Sequence, residues 1–478
     1  MNHTVEKIGG TSMSNYPAVR DNIVSAGRKG DELYQRIFVV SAYGGITNHL
    51  LEHKKTDHPG VYALFTNDDD DASWRTALHA LRNRVHALNS ELFKDTQLLE
   101  RANYFIDQRL DETEQVLINL ENLCQHGHFE MEDHLLTVRE MLASLGEAHS
   151  AWNTAELLRQ EGINARFVDL SGWHTTGAQP LDTVIEQAFA DIDLTRELPI
   201  VTGYAHCIEG LMATFDRGYS EMTFSRIAVI TGAREAVIHK EYHLSSADPG
   251  VVGESKSVPI GRTNYDVADQ LANLGMEAIH PRAAKGLRQN DIPLRIKNTF
   301  EPEHTGTLIT GDYVSTTPCV EIIAGRQHLH AIELFDQDMV GMNDEYEKTL
   351  LDLFRRFRAI VVTKDINANT VTHYLACNLK TVKRIMRVID KTWPGAEVEH
   401  RKVAIVSAIG SDMQVPGILA KAVGALAEAG INILAMHQSM RQVDMQFIVD
   451  EGDYNGAIKS LHNTLIEPHD YGAAICLA

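Results

Sequence analysis

Val5-Glu6-Lys7-Ile8-Gly9-Gly10-Thr11-Ser12 is the stretch on which the fold turns. It reads as a short buried strand that runs into a Gly-Gly turn, with hydroxyls behind the turn placed to cap a helix. A glycine pair lets backbone N–H groups approach a phosphate closely, and a following helix N-terminus adds partial positive charge. Lys7 would put a mobile ammonium beside that cradle. Taken alone, the stretch fits an ordinary β-turn-α connection with a surface lysine better, so the rest of the chain has to decide.

A second unit of the same kind follows. Arg36-Ile-Phe-Val-Val-Ser41 is a continuous apolar run suited to a parallel strand covered on both faces. It empties into Ala42-Tyr43-Gly44-Gly45-Ile46-Thr47-Asn48, another glycine turn before a helix. Both turns would deliver backbone donors at strand C-termini, where open α/β sheets bind ligands. Residues 53–140 differ: Leu78, Leu81, Val85, Leu88 and Leu92 recur at helical spacing, as do Phe105, Val116, Leu120 and Leu123, which predicts a helical insertion. The acidic run after Asn67 reads as a solvated loop. Glu147, between apolar turns, is either a half-buried polar residue or a ligand for an ammonium group. Strands are expected at 165–170, 198–204, 236–240 and 293–300, separated by helix-length segments, so the βαβ pattern of a mostly parallel sheet continues. Arg217-Gly218 precedes a helix with Ser220 near its cap; this is either a carboxylate clamp or an N-cap with an incidental arginine.

The last third is built otherwise. Strand and helix patterns over 331–391 and 402–464 repeat a βαββα order twice, which predicts paired small α+β modules with a regulatory or dimerising role.

Composition narrows the function. The 478 residues predict several domains, and 44% hydrophobic with 23% charged residues is the balance of a globular chain. With 44 basic against 65 acidic residues and a net charge of −21, nucleic acid is excluded as a partner. No apolar run is long enough for a bilayer and no signal pattern opens the chain, so a cytoplasmic location is expected. Cys124, Cys207, Cys319, Cys377 and Cys476 are odd in number and lack metal-ligand spacing, which predicts free thiols and no protein metal site.

Lys7-Ile-Gly-Gly-Thr-Ser12, Ser41-Ala-Tyr-Gly-Gly-Ile-Thr47-Asn48, Gly146-Glu147, Arg217-Gly-Tyr-Ser220-Glu221, Ala247-Asp248-Pro249, His280-Pro281-Arg282-Ala283 and Asn298-Thr299-Phe300, in that order, resemble the aspartokinases of the amino-acid-kinase superfamily. The resemblance covers nearly the whole chain apart from the insertion. It implies a three-layer αβα sandwich over 1–312 and two C-terminal ACT modules, over 328–400 and 401–478, the second with a return strand. The implied reaction is ATP-dependent phosphorylation of the L-aspartate side chain with Mg²⁺, in a homo-oligomer joined through the ACT modules.

By the same resemblance Lys7 would contact the transferring phosphoryl, and Gly9, Gly10 and Ser12 would line the phosphate cradle. Ser41 and Thr47 would contact substrate or phosphate. Glu147 would take the substrate ammonium and Arg217 its α-carboxylate, with Ser220 and Glu221 beside the substrate. Lys240, Glu241 and Asp248 would belong to the nucleotide segment. Departures also stand out. Asp216 and Tyr219 replace glycines of the family pattern, and Gly250 and Glu277 replace basic residues, for which Lys240 and Lys256 are candidate substitutes. These departures resemble the branch of the family that accompanies ectoine synthesis. A catalytically silent regulatory homologue is the competing expectation.

Overall fold

The computed structural model describes residues 2–53, 56, 58–67, 73–215, 218–276 and 279–468. The acidic run 68–71, Asp216, Arg217, Glu277, Cys476 and the expected return strand near the chain end lie outside the described residues. The chain divides into two units, one of residues 1–243 and 279–311 and the other of 244–278 and 312–477.

In the first unit the strands are β1 (Thr4–Ile8), β2 (Arg36–Val40), β3 (Ala165–Val168), β4 (Leu198–Thr202) and β5 (Glu235–Lys240). The second unit contributes β6 (Arg262–Asn264), and the first resumes with β7 (Leu294–Asn298) and β8 (Thr307–Thr310). Within the first unit the order is β3-β4-β2-β1-β5-β7-β8, parallel except for β8, which runs against β7. Every residue of β1, β2 and β4 is buried; the apolar runs of β2 and β4 suit central parallel strands, whereas β1 buries Thr4, Glu6 and Lys7 among its five residues. Helices Leu135–Gln160 and Tyr219–Thr231 pack on this sheet, completing a three-layer αβα sandwich. Leu135–Gln160 is buried nearly all round because helix Thr96–Cys124 of the insertion covers its other side.

The central sheet holds a buried charged network that no sequence pattern signals. Glu6 accepts from Arg36 Nε at 2.7 Å and Nη2 at 3.0 Å, and lies 2.8 Å from His239 Nε2. Arg36 also donates to the Ile23 and Val24 carbonyls. Burial pushes the Glu6 carboxyl up, but Arg36 and His239 outweigh it and hold the group well below the usual carboxylate range. Burial lowers the His239 pKa, with Glu6 opposing. Both shifts make the fold bind fewer protons than the unfolded chain, so their stabilisation is lost as pH falls through the folded-state values. Glu6→Ala leaves the Arg36 guanidinium buried without its counter-ion. We expect it to cost about 3–5 kcal/mol of unfolding free energy in a urea titration at neutral pH.

The second unit carries the strands β9 (Ile322–Phe335), β10 (Ile360–Ile366), β11 (Thr370–Ala376), β12 (Glu397–Ile409), β13 (Ala435–Gln438) and β14 (Asp444–Asp450). They form one antiparallel sheet of six strands in the order β10-β11-β9-β12-β14-β13. Helices Asn343–Arg356, Leu379–Thr392, Ile418–Glu428 and Tyr454–Leu465 complete the doubled βαββα pattern. Strands expected at 331–335 and 402–408 prove to be only parts of the two long central strands. Ile332 and Leu334 of β9 join the core of the first module, whereas Ile323 of the same strand packs with Ala404, Val406 and Ala408 of β12 in the core of the second. Each module therefore takes part of both strands, and the second reaches back to residue 320.

The register between β9 and β12 slips once: Val403 faces Leu329 but Ile405 faces Arg326. The extra β9 residue is a β-bulge, and His328 beside it has φ +61°. Residues 244–278 group with this unit rather than with the expected 1–312 domain. Ile260, Val267, Leu271 and Leu274 share one apolar cluster with Ile322, Leu329, Val403 and Ile405.

Candidate functional site

Lys7 is the penultimate residue of β1, and its ammonium lies 3.4 Å from Glu221 Oε1. Both side chains are almost enclosed, at 11% and 13% exposure. Glu221 stands in the first turn of helix Tyr219–Thr231, and its other oxygen accepts the His280 backbone N–H at 2.5 Å. Burial would raise the Glu221 carboxyl, but Lys7, Lys240 and the His280 N–H prevail and hold it below its ordinary value. At neutral pH this is an ion pair.

Glu147 is different. It projects from the middle of helix Leu135–Gln160 and is fully buried. Oε1 accepts from Ser220 Oγ at 2.7 Å, while Oε2 has no well-formed hydrogen bond among the described residues. Burial pushes its pKa up to about 8, and Ser220, Lys7 and the backbone at Tyr204 and Ala42 only partly offset this. The fold encloses Glu147 tightly: a Cβ on Gly203 would stand 2.9 Å from Oε2 and 2.8 Å from the Val40 carbonyl oxygen. A carboxylate held this way, buried and short of a full ion pair, suits a small cation with several N–H donors.

The two glycine turns meet at the strand ends. A Cβ on Gly10 would lie 2.7 Å from the Ala42 carbonyl oxygen, so only glycine permits that approach. The Gly44 N–H donates to Ser14 Oγ at 2.8 Å, tying one turn to the other. The cradle departs from the sequence expectation in three ways. The Gly9 N–H is committed to the His239 carbonyl at 3.1 Å, so it is not a free phosphate donor. Ser12 Oγ is fully buried and bonded to Thr299 Oγ1 at 2.8 Å, an interaction within the fold. The helix behind the turn is a single turn, Gly10–Met13, because Asn15 starts a new cap at Ala18, so little macrodipole is available.

The remaining expected residues divide. Ser41 follows β2, and its carbonyl accepts from Ser150 Oγ at 2.8 Å. Thr47 is half-buried in helix Ile46–Leu50. Lys240 ends β5 near Glu221, and the adjacent Glu241 is exposed. Arg217 falls outside the described residues. Asp248 belongs to the second unit, where it caps helix Pro249–Val252 through the Gly250 N–H at 2.8 Å. Lys256, also in that unit, is paired with Glu467 at 3.1 Å. This is an exposed surface pair, which holds the ammonium only weakly. Sequence reasoning assigned no role to His280, whose N–H fixes Glu221, or to Gly203, which walls Glu147. The signals near them were the His280-Pro281-Arg282-Ala283 motif and the strand expected over 198–204, neither of which gives the orientation of a single residue.

Among the described residues no group of His, Cys, Asp and Glu could hold a metal ion, and no helix is long and apolar enough to cross a membrane. Comparison with known proteins adds the following. The amino acid kinase family matches residues 2–298, and an ACT domain matches 406–465. Aspartate kinase Ask_Ect of Stutzerimonas stutzeri (strain A1501) is 57% identical over 476 residues, covering 100% of both chains. The chloroplastic aspartokinase 1 of Arabidopsis thaliana is 26% identical over 380 residues, 74% of this chain and 66% of that one. Escherichia coli aspartokinase III, solved with aspartate and ADP, is 20% identical and shares the fold, with a TM-score of 0.71 over 98% of this chain and 100% of its own. A family match over more than half the chain, together with a relative so similar from end to end, places the chain in the amino acid kinase family, among its aspartate kinases.

Proposed function

We propose that this chain transfers the terminal phosphoryl group of ATP to the side-chain carboxylate of L-aspartate, giving 4-phospho-L-aspartate. The observation that carries the reading is Glu147, a buried carboxyl at the strand ends, bonded to Ser220, raised to about 8 and close enough to Lys7 to feel its charge. Glu147 would take the substrate ammonium, held in position by Ser220, and Arg217 would take the α-carboxylate. The nucleophile is a carboxylate with a reference pKa near ~3.9, so no general base is needed. What the site must overcome is the repulsion between two anions. Lys7 supplies a preorganised positive charge, aimed by Glu221, which the His280 N–H holds in turn. Lys240 and the close-packed Gly10 backbone suit a polyphosphate, and Mg²⁺ carried on the nucleotide would neutralise further phosphate charge.

A silent regulatory homologue would have no use for Glu147. A carboxyl buried against its own ionisation destabilises the empty fold, and only a cationic ligand returns that energy. The name of the S. stutzeri relative supports the ectoine-associated branch as the destination of the product. The six-stranded sheet of the second unit is the surface through which we propose two copies associate. The decisive assay incubates the pure protein with ATP, Mg²⁺, aspartate and hydroxylamine. Aspartyl hydroxamate above the blank is the expected result, and its absence would overturn the reading.

A further inference from the structure

The face of the central sheet opposite Lys7 is not closed. A cavity of about 690 Å³ opens there, floored by Glu6, Val237, His239 and Lys297 and reaching to Arg28 and Arg234 at its rim. Residues alternate between faces along a strand, so the face that carries Glu6 is separated from the reaction site by the sheet itself. The cavity lies wholly within the first unit.

Its charge is unusual for so acidic a chain. Five cations line it, Arg28, Arg36, Arg234, Arg295 and Lys297. Two are answered locally: Arg36 by Glu6, and Arg295 by Glu235 at 2.7 Å. The other acids lining the cavity, Asp31 and Glu32, are exposed residues. Among the described residues the Lys297 and Arg28 side chains have no hydrogen bond or ion pair, and the Arg234 side chain reaches only Asn2 Oδ1 at 3.5 Å. Lys297 is half-buried, paired across the sheet with His239 and on the same face of its strand as Arg295. Burial lowers its pKa first, and Arg295, Arg28 and Arg36 lower it further, with Glu6 opposing. Burial likewise lowers Arg28, with Arg36 and Arg234 adding to the effect and Glu6 and Glu32 opposing it. Like charges gathered in a concave, partly desolvated space repel one another, and an anion placed among them removes that repulsion.

We propose that this cavity is a second binding site, distinct from the phosphoryl-transfer site, for a small multivalent oxyanion such as phosphate. Lys297 is the point charge at its floor. Arg28 and Arg234 are the guanidinium forks at its rim, suited to oxyanion geometry.

The test titrates the full-length enzyme, saturated with Mg²⁺·ADP to block the nucleotide site, with inorganic phosphate at constant ionic strength. Thermal melting and calorimetry are the readouts, and citrate replaces phosphate in a parallel arm to separate phosphate from polycarboxylate recognition. Saturable stabilisation is expected, weakened at least ~10-fold in Lys297→Gln, the scale of one charge-assisted contact. Lys297→Gln is also expected to melt higher than wild type in anion-free buffer, because the repulsion is gone. Arg28→Gln, on the exposed rim where folding is not at stake, should weaken phosphate in the same direction. Equal responses in wild type and both variants, or a wild-type response no larger than sodium chloride gives, would overturn the proposal.

Discussion

Lys7→Ala is expected to lower kcat by ~100-fold or more, the scale on which a preorganised charge at a transferring group is lost. The ammonium is nearly enclosed at the strand ends, where it is paired with Glu221 and Lys240 is the other cation that acts on that carboxyl. Loss of Lys7 also leaves Glu221 buried without its ion pair, so the burial that Lys7 now overrides would raise the Glu221 carboxyl. Lys7→Arg separates the two effects. It keeps the charge and the pairing with Glu221 but moves the donors, so it should restore stability while leaving kcat depressed. Steady-state kinetics with saturating ATP and aspartate, alongside melting curves, are the measurements. A Lys7→Ala enzyme with near-normal kcat would mean that the Gly-Gly loop is no more than a turn.

Glu147→Gln is expected to raise KM for aspartate roughly a hundredfold, from loss of about 3 kcal/mol of buried charge pairing. Its pH dependence is the sharper readout. In the empty wild-type site the carboxyl holds its proton up to about 8, and pairing with an ammonium requires that proton to leave. Aspartate affinity should therefore climb with pH toward that value in wild type and stay flat in the variant. Stability moves the other way. Because the folded-state pKa lies above the unfolded one, the native protein holds a proton that the unfolded chain has already released, and wild-type stability falls across that interval. The ligand-free Glu147→Gln protein should thus gain in melting temperature relative to wild type as pH rises to about 8. A variant that loses affinity without this gain would indicate a general packing fault instead of a lost ammonium receptor.

The parallel sheet, both glycine turns and the doubled C-terminal pattern were legible because each is written in a local run of residues. Lys7, Glu147, Ser220 and Glu221 were legible as members of an ordered set of motifs, and the structure does bring them together. Orientation was not legible. Whether Ser12 faces a ligand or Thr299 depends on a partner 287 positions away, and the Gly9 N–H is spent on a carbonyl of β5. The Glu6–Arg36–His239 network spans three strands far apart in sequence, so no window of residues could announce it. The segment 244–278 carries the Ala247-Asp248-Pro249 motif and lies within the family match, yet its apolar residues pack against β9 and β12, which only the tertiary contacts reveal.

The β-bulge at His328 bears on how this chain can change over time. It is the reason one strand can present Ile323 to one core and Ile332 with Leu334 to another on the same side of the sheet. Removing a single residue there would turn every later side chain of β9 to the opposite face. Substitutions in that strand are each felt by one module, whereas an insertion or deletion is felt by both. The two modules are therefore free to diverge in the residues they carry but bound to a common length, and lineages should differ here by replacement and not by indel.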